Sequence, residues 1–173
     1  MIEDLTIEAR DTAARVIGIF VDDRLKALPL PDGFWNDDYV LGFLMCSAVQ
    51  LTQARHGDDL DPTAAADATF QVLGEASGEG IDAVKDRVGV LQNSGSLAYL
   101  EAMKLADKLV RFISGSTTAA LDPVVLEARE QARLMYENGS LDPAKVPADA
   151  ALRGVLVNNL FTRVVKERFN LDD

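Results

Sequence analysis

An all-α bundle of about six or seven helices, with no significant β-sheet, is the fold class this sequence predicts. Apolar residues recur at steps of three and four through long windows, the period of a helix face. No window sustains the apolar–polar alternation of a half-buried strand. Leu-Asp-Pro occurs three times, as Leu60-Asp61-Pro62, Leu121-Asp122-Pro123 and Leu141-Asp142-Pro143. In each copy Asp can accept from the free N–H groups of a first helical turn, and Pro stands where no N–H is needed. The unequal spacing of the copies makes them helix starts and not a repeat.

The first helix spans residues 3–28, with Leu5, Ala9, Ala13, Val16 and Phe20 inward and Ile17, Val21, Leu25 and Leu28 widening the stripe. Pro29 and Pro31 end it and Asp32-Gly33 turns the chain. The second, residues 36–56, takes Asn36 as its N-cap and stops at Gly57. Its middle, Tyr39, Val40, Leu41, Phe43, Leu44, Met45 and Val49, is apolar on almost every side, which predicts a central helix. Residues 62–92 hold one apolar phase through Phe70, Leu73, Ser77, Ile81, Val84, Val88 and Leu91. Gly74, Gly78 and Gly80 argue against continuity, at up to ~1 kcal/mol each in a helix interior, so a break is expected at residues 77–80. Gly74 and Gly78, four apart, would also let another helix come close.

The fourth helix covers residues 96–113 with Leu100, Met103, Val110 and Ile113 inward. The fifth covers residues 123–138 with Val125, Ala128, Ala132 and Met135 inward, and Leu121 is placed to staple onto Leu126. A short turn follows Pro143. The last helix, residues 149–169, turns Leu152, Val155, Leu156, Leu160 and Val164 inward, broadened by Val157, Phe161 and Val165. Linkers are short and no composition shift marks a boundary, so a single domain over residues 1–173 is expected.

A chain of 173 residues that is 48% hydrophobic and 26% charged can build a core without staples. Its net charge of −11 opposes phosphate backbones and anionic membranes, because both need clustered Lys and Arg. The densest basic stretch, Arg163, Lys166 and Arg168, is a helix face. Cys46 is the only cysteine, so no internal disulfide forms, and in an apolar run it reads as a small buried hydrophobe. No apolar run reaches the length that spans a bilayer, and no basic-then-apolar leader opens the chain. These features predict a cytoplasmic protein without nucleic-acid or membrane partners.

Chemistry is sparsely signalled. One histidine removes zinc and copper sites built on several His or Cys. His56 with Asp58, Asp59 and Asp61 reads as a helix end, two loop acids and a cap, and lacks EF-hand spacing. Acids three apart on helices, Glu8/Asp11 and Glu127/Glu130, are the pattern a divalent-cation enzyme would use. With 28 acids in 173 residues about four such pairs arise by chance, and four occur, so solvated faces explain them. A nucleophile would have only His56 as its base, and Gly74–Gly80 lacks the features of a phosphate loop. No cofactor is implied.

Phe34, Trp35 and Tyr39 beside Leu28-Pro29-Leu30-Pro31 form the candidate partner surface, since aromatics near loops anchor interfaces. The plainer account makes Trp35 a staple onto Val40. The wide apolar arc of the last helix is the second candidate, as a dimer contact. The leading expectation is therefore a non-catalytic protein that works through protein contacts, as a homodimer. The alternative is an enzyme or ligand-binding bundle with its site between helices, using Glu8, Asp11, Glu127 and Glu130.

Overall fold

The computed structural model describes residues 2–25 and 29–171, and every regular element among them is helical. The all-α expectation holds, with seven helical rods when the last, three-part run is taken as one. Among the described residues no helix is long and apolar enough to cross a membrane. The chain divides into two compact units, Met1–Asp107 and Lys108–Asp173. The boundary falls inside a helix, where no linker composition can mark it.

In the first unit, α1 (Ile2–Gly18) runs on into a π-helical stretch, Ile19–Leu25. Ala9, Ala13, Val16, Ile17, Phe20, Val21 and Leu25 are buried as the periodicity predicts. The step from Phe20 to Leu25 is five residues, which suits the wider π turn. The last predicted turn, residues 26–28 with Leu28, lies outside the described residues.

Helix α2 (Asp38–His56) is capped by Asp37, whose carboxylate accepts from the Tyr39 and Val40 N–H groups at 3.0 and 3.1 Å. This corrects the expected Asn36 cap. Gly33, at φ 77°, starts a 3₁₀ turn over Phe34–Asn36 that takes Asn36 into itself, so Asp37 is the first extended residue. Asn36 instead donates to Glu79 at 2.8 Å. Every residue from Tyr39 to Ala48 is buried, so α2 is central as read. Asp38 ties its start down: Arg87 donates to one oxygen at 2.8 Å and Ser96 to the other at 2.7 Å.

Helices α3 (Pro62–Ser77) and α4 (Ile81–Ser94) are separate, as the glycines predict. Asp61 caps α3 through the Thr63 N–H at 2.7 Å. Leu60 packs with Ala9, Ala65 and Ala68, a working hydrophobic staple. Gly78, at φ 72°, closes α3 in the left-handed region. A Cβ at Gly74 would lie 2.8 Å from the backbone of Gly80 and Ile81. The close approach expected at Gly74 is thus made by the start of α4 itself.

Helix α5 (Leu97–Ile113) departs from expectation in phase. Its buried residues are Tyr99, Ala102, Ala106, Leu109 and Val110, whereas Leu100 is 40% exposed and Met103 and Ile113 are half-buried. The cause is a close crossing. A Cβ at Gly42 of α2 would sit 2.6 Å from the Tyr99 carbonyl oxygen and 3.2 Å from the Ala102 Cβ. Small residues form the contact, and the larger Leu100 is left to the side.

The second unit holds the end of α5, a 3₁₀ turn at Ala119–Leu121, α6 (Pro123–Glu137) and α7 (Ala148–Val157). A π turn, Asn158–Thr162, then leads into α8 (Arg163–Phe169). Asp122 caps α6 through the Val124 N–H at 2.9 Å and pairs with Lys108 at 3.1 Å. The expected Leu121–Leu126 staple is absent: Leu121 ends the 3₁₀ turn and is 72% exposed. Asp142 starts only a turn, accepting from the Ala144 N–H at 2.9 Å. The π turn advances the buried line of the last run from Leu156 to Phe161 and Val165. That is why the predicted inner face looked two residues wide, and why Val164 ends half-buried.

Candidate functional site

The aromatic trio separates. Phe34 is buried and meets Trp35 edge-on at 4.9 Å between ring centroids. Tyr39 is buried and stacks on Phe43, which takes Phe20 edge-on at 5.3 Å. Only Trp35 of the three keeps an exposed face. The last helical run, the other predicted contact, has Leu152, Val155, Leu156, Val157, Leu160, Phe161 and Val165 all buried. Of the predicted face Val164 alone is half-buried.

The four acids of the alternative reading are exposed. Glu130 is chelated by Arg133, which donates to its two oxygens at 2.9 and 2.6 Å and also reaches Glu137. Those hydrogen bonds hold the Glu130 carboxyl below its usual range, and raise the guanidinium in turn. Glu127 accepts from Gln131 at 3.4 Å. Among the described residues no three His, Cys, Asp or Glu side chains stand close enough together to hold a metal ion. Cys46 is buried, and its thiol lies against the Met103 carbonyl at 3.3 Å. Burial, helped by the Asp107 charge, pushes it up to about 11, the environment of an inert thiol.

Each unit carries a recess among its described residues. In the second unit a cleft of ≈ 370 Å³ is lined by Phe112, Arg129, Ala132, Arg133, Tyr136, Ala148, Asp149 and Leu152. Ala132 and Leu152 are buried and form its floor, while Arg129, Arg133, Ala148 and Asp149 are exposed and form its rim. Residues 126, 129, 133 and 136 follow helical spacing on α6, so Leu126, 44% exposed, extends the same stripe. The Tyr136 hydroxyl donates to the Val146 carbonyl at 2.7 Å, pinning the turn ahead of α7 to the end of α6. Arg133 is held by glutamates. Neither Arg129 nor Asp149 makes a hydrogen bond or ion pair through its charged group among the described residues. Asp149 stands in the first turn of α7, where the helix dipole favours its charge.

In the first unit a smaller, polar recess of ≈ 240 Å³ is lined by Glu8, Asp11, Thr12, Arg15, Arg55 and His56. Residues 8, 11, 12 and 15 form one stripe of α1, and Arg55 and His56 end α2. Thr12 is buried and joins the two helices. Its hydroxyl donates to the Glu8 carbonyl at 2.9 Å and lies 3.2 Å from His56 Nε2. A hydroxyl has one proton, so Thr12 accepts from His56, which places a proton on Nε2.

Pattern reading reached Glu8, Asp11 and His56 but not Thr12, Arg15 or Arg55. The i, i+3, i+4 and i+7 spacing along α1 was a legible signal for the first two of these. Of the cleft's lining, periodicity reached only Ala132 and Leu152, as inward residues, because its walls come from segments up to 40 positions apart in the chain. No protein-family model matches the chain, and no curated protein or solved structure matches it either.

Proposed function

We propose that this chain is a non-catalytic protein-interaction module that self-associates through the α6–α7 cleft of its second unit. The observation that carries this reading is the rim. Of its two cations Arg133 is held by Glu130 and Glu137, which leaves one cation, Arg129, and one anion, Asp149, neither of them partnered among the described residues. Two-fold symmetry requires a self-complementary patch, in which residue i of one copy meets residue j of the other and the reverse. A patch with one free charge of each sign meets that requirement. The residue types agree, since Arg, Tyr and aromatic side chains over an apolar floor are those that dominate interface energetics. The exposed Leu126 adds apolar area on the same helix face.

Charge reversal tests the reading. Arg129→Asp sets like charges against each other twice per symmetric dimer, and so does Asp149→Arg. Each weakens association by roughly tenfold to a hundredfold. The double reversal, Arg129→Asp with Asp149→Arg, restores it. Ala148→Trp, on an exposed rim position, plugs the cleft and gives monomer. Sedimentation equilibrium and native mass spectrometry report all four variants. A monomeric parent chain, or a double reversal no better than the singles, rules the cleft out as the contact.

A further inference from the structure

The polar recess of the first unit is distinct from that contact and has a different chemistry. Its wall carries two carboxylates, Glu8 and Asp11, and two guanidinium groups, Arg15 and Arg55. None of the four charged groups makes a hydrogen bond or an ion pair among the described residues. Asp11 and Arg15 are four apart on α1, in the order that favours pairing on a helix, yet they do not pair. Arg10, on the neighbouring face, pairs with Glu75 through one nitrogen at 2.7 and 2.9 Å, and its charge also acts on Asp11. Charges of both signs therefore line one space without pairing directly.

We propose that this recess binds a small zwitterion of the α-amino-acid class, its carboxylate taken by Arg15 and Arg55 and its ammonium by Glu8 and Asp11. The formal charges of the four side chains cancel, so neither a bare anion nor a bare cation is matched by the wall. A molecule carrying both charges is. Guanidinium groups grip carboxylates through paired N–H donors, and an ammonium needs oxygen acceptors. At ≈ 240 Å³ the recess is smaller than the roughly 300–1,000 Å³ that holds drug-sized ligands. The buried Thr12 holds the His56 ring at the edge of the recess through Nε2.

Isothermal titration calorimetry of the full chain against free amino acids, singly, at up to roughly 10 mM tests this, tenfold above a ~1 mM Kd. Saturable binding of at least one free amino acid is expected, with none for its N-acetyl or methyl-ester derivative. Arg55→Ala and Glu8→Gln each remove a charge-assisted contact and weaken that binding by about tenfold to a hundredfold. Both positions are exposed and unpaired, so their melting curves should match the parent. No saturable heat from any free amino acid overturns the proposal. So does equal binding of the N-acetyl derivative, or unchanged affinity in both variants. Self-association in the same samples is independent of these outcomes, which keeps the two readings separable.

Discussion

Gly42→Ala is expected to destabilise the protein although it replaces glycine by the best helix former. The new Cβ would lie 2.6 Å from the Tyr99 carbonyl oxygen, 3.1 Å from Tyr99 Cδ2 and 3.2 Å from the Ala102 Cβ. Acceptable C···O contacts begin at roughly 3.3 Å, so α2 and α5 must separate by about 0.7 Å. The Tyr99 oxygen is helix backbone and cannot rotate away. Overpacking of this kind costs about 1–3 kcal/mol, and the helix-propensity gain of Ala over Gly returns ~0.5–1 kcal/mol. The net loss is about 0–2.5 kcal/mol, centred near 1, which lowers Tm by roughly 2–4 °C at the centre for a chain of this size. Gly89→Ala is the internal control. It sits inside α4 with nothing within 4 Å of its Cβ, so the same substitution should raise stability by ~0.5–1 kcal/mol. Urea unfolding followed by far-UV circular dichroism measures both. Opposite signs support the close crossing. A Gly42→Ala variant stabilised as much as Gly89→Ala would refute the claim that α5 seats on Gly42.

Two further outcomes follow from local electrostatics. The Thr63 N–H and hydroxyl hold Asp61 below its ordinary value of 3.8, so its contribution is complete above that value and is lost as pH falls through the depressed one. Asp61→Asn keeps a cap acceptor without a titration, and the Tm difference between parent and variant should fall from pH 5 to pH 2; a constant difference contradicts the assignment. At pH 8 a thiol at about 11 holds about a hundredfold less thiolate than one at 9.0. Cys46 should therefore resist Ellman's reagent in the native protein and react fully in denaturing urea. Native reaction at the rate of a free thiol would show the site to be open.

Legibility followed the range of the forces involved. Asp61 and Asp122 could be read as caps because each bonds an N–H two residues on. The break at Gly78 was legible because a left-handed residue ends a helix whatever surrounds it. The cap of α2 was missed by one residue, because Gly33 sets up a 3₁₀ turn that competes for Asn36. Leu60 and Leu121 precede the same Asp-Pro signal, but only Leu60 finds neighbours from another helix. Leu121 ends a 3₁₀ turn and stays 72% exposed. The staple is a tertiary contact written in a local motif.

By itself the sequence determined the all-helical class, the centrality of α2, most helix ends and the inert surroundings of Cys46. These rest on composition and on contacts within about one helical turn. Tertiary structure alone decided which face of α5 is buried, since Gly42 admits Tyr99 and Ala102 more closely than any larger pair. It decided the π turns, where the buried line moves by one residue to keep Phe161 and Val165 inside. It also decided that Arg129, Arg15 and Arg55 line recesses without a partner among the described residues, whereas Arg133, in the same cleft as Arg129, takes glutamates that its helical spacing already offered. Charge and spacing state what a side chain can reach, and only packing settles what stands in reach.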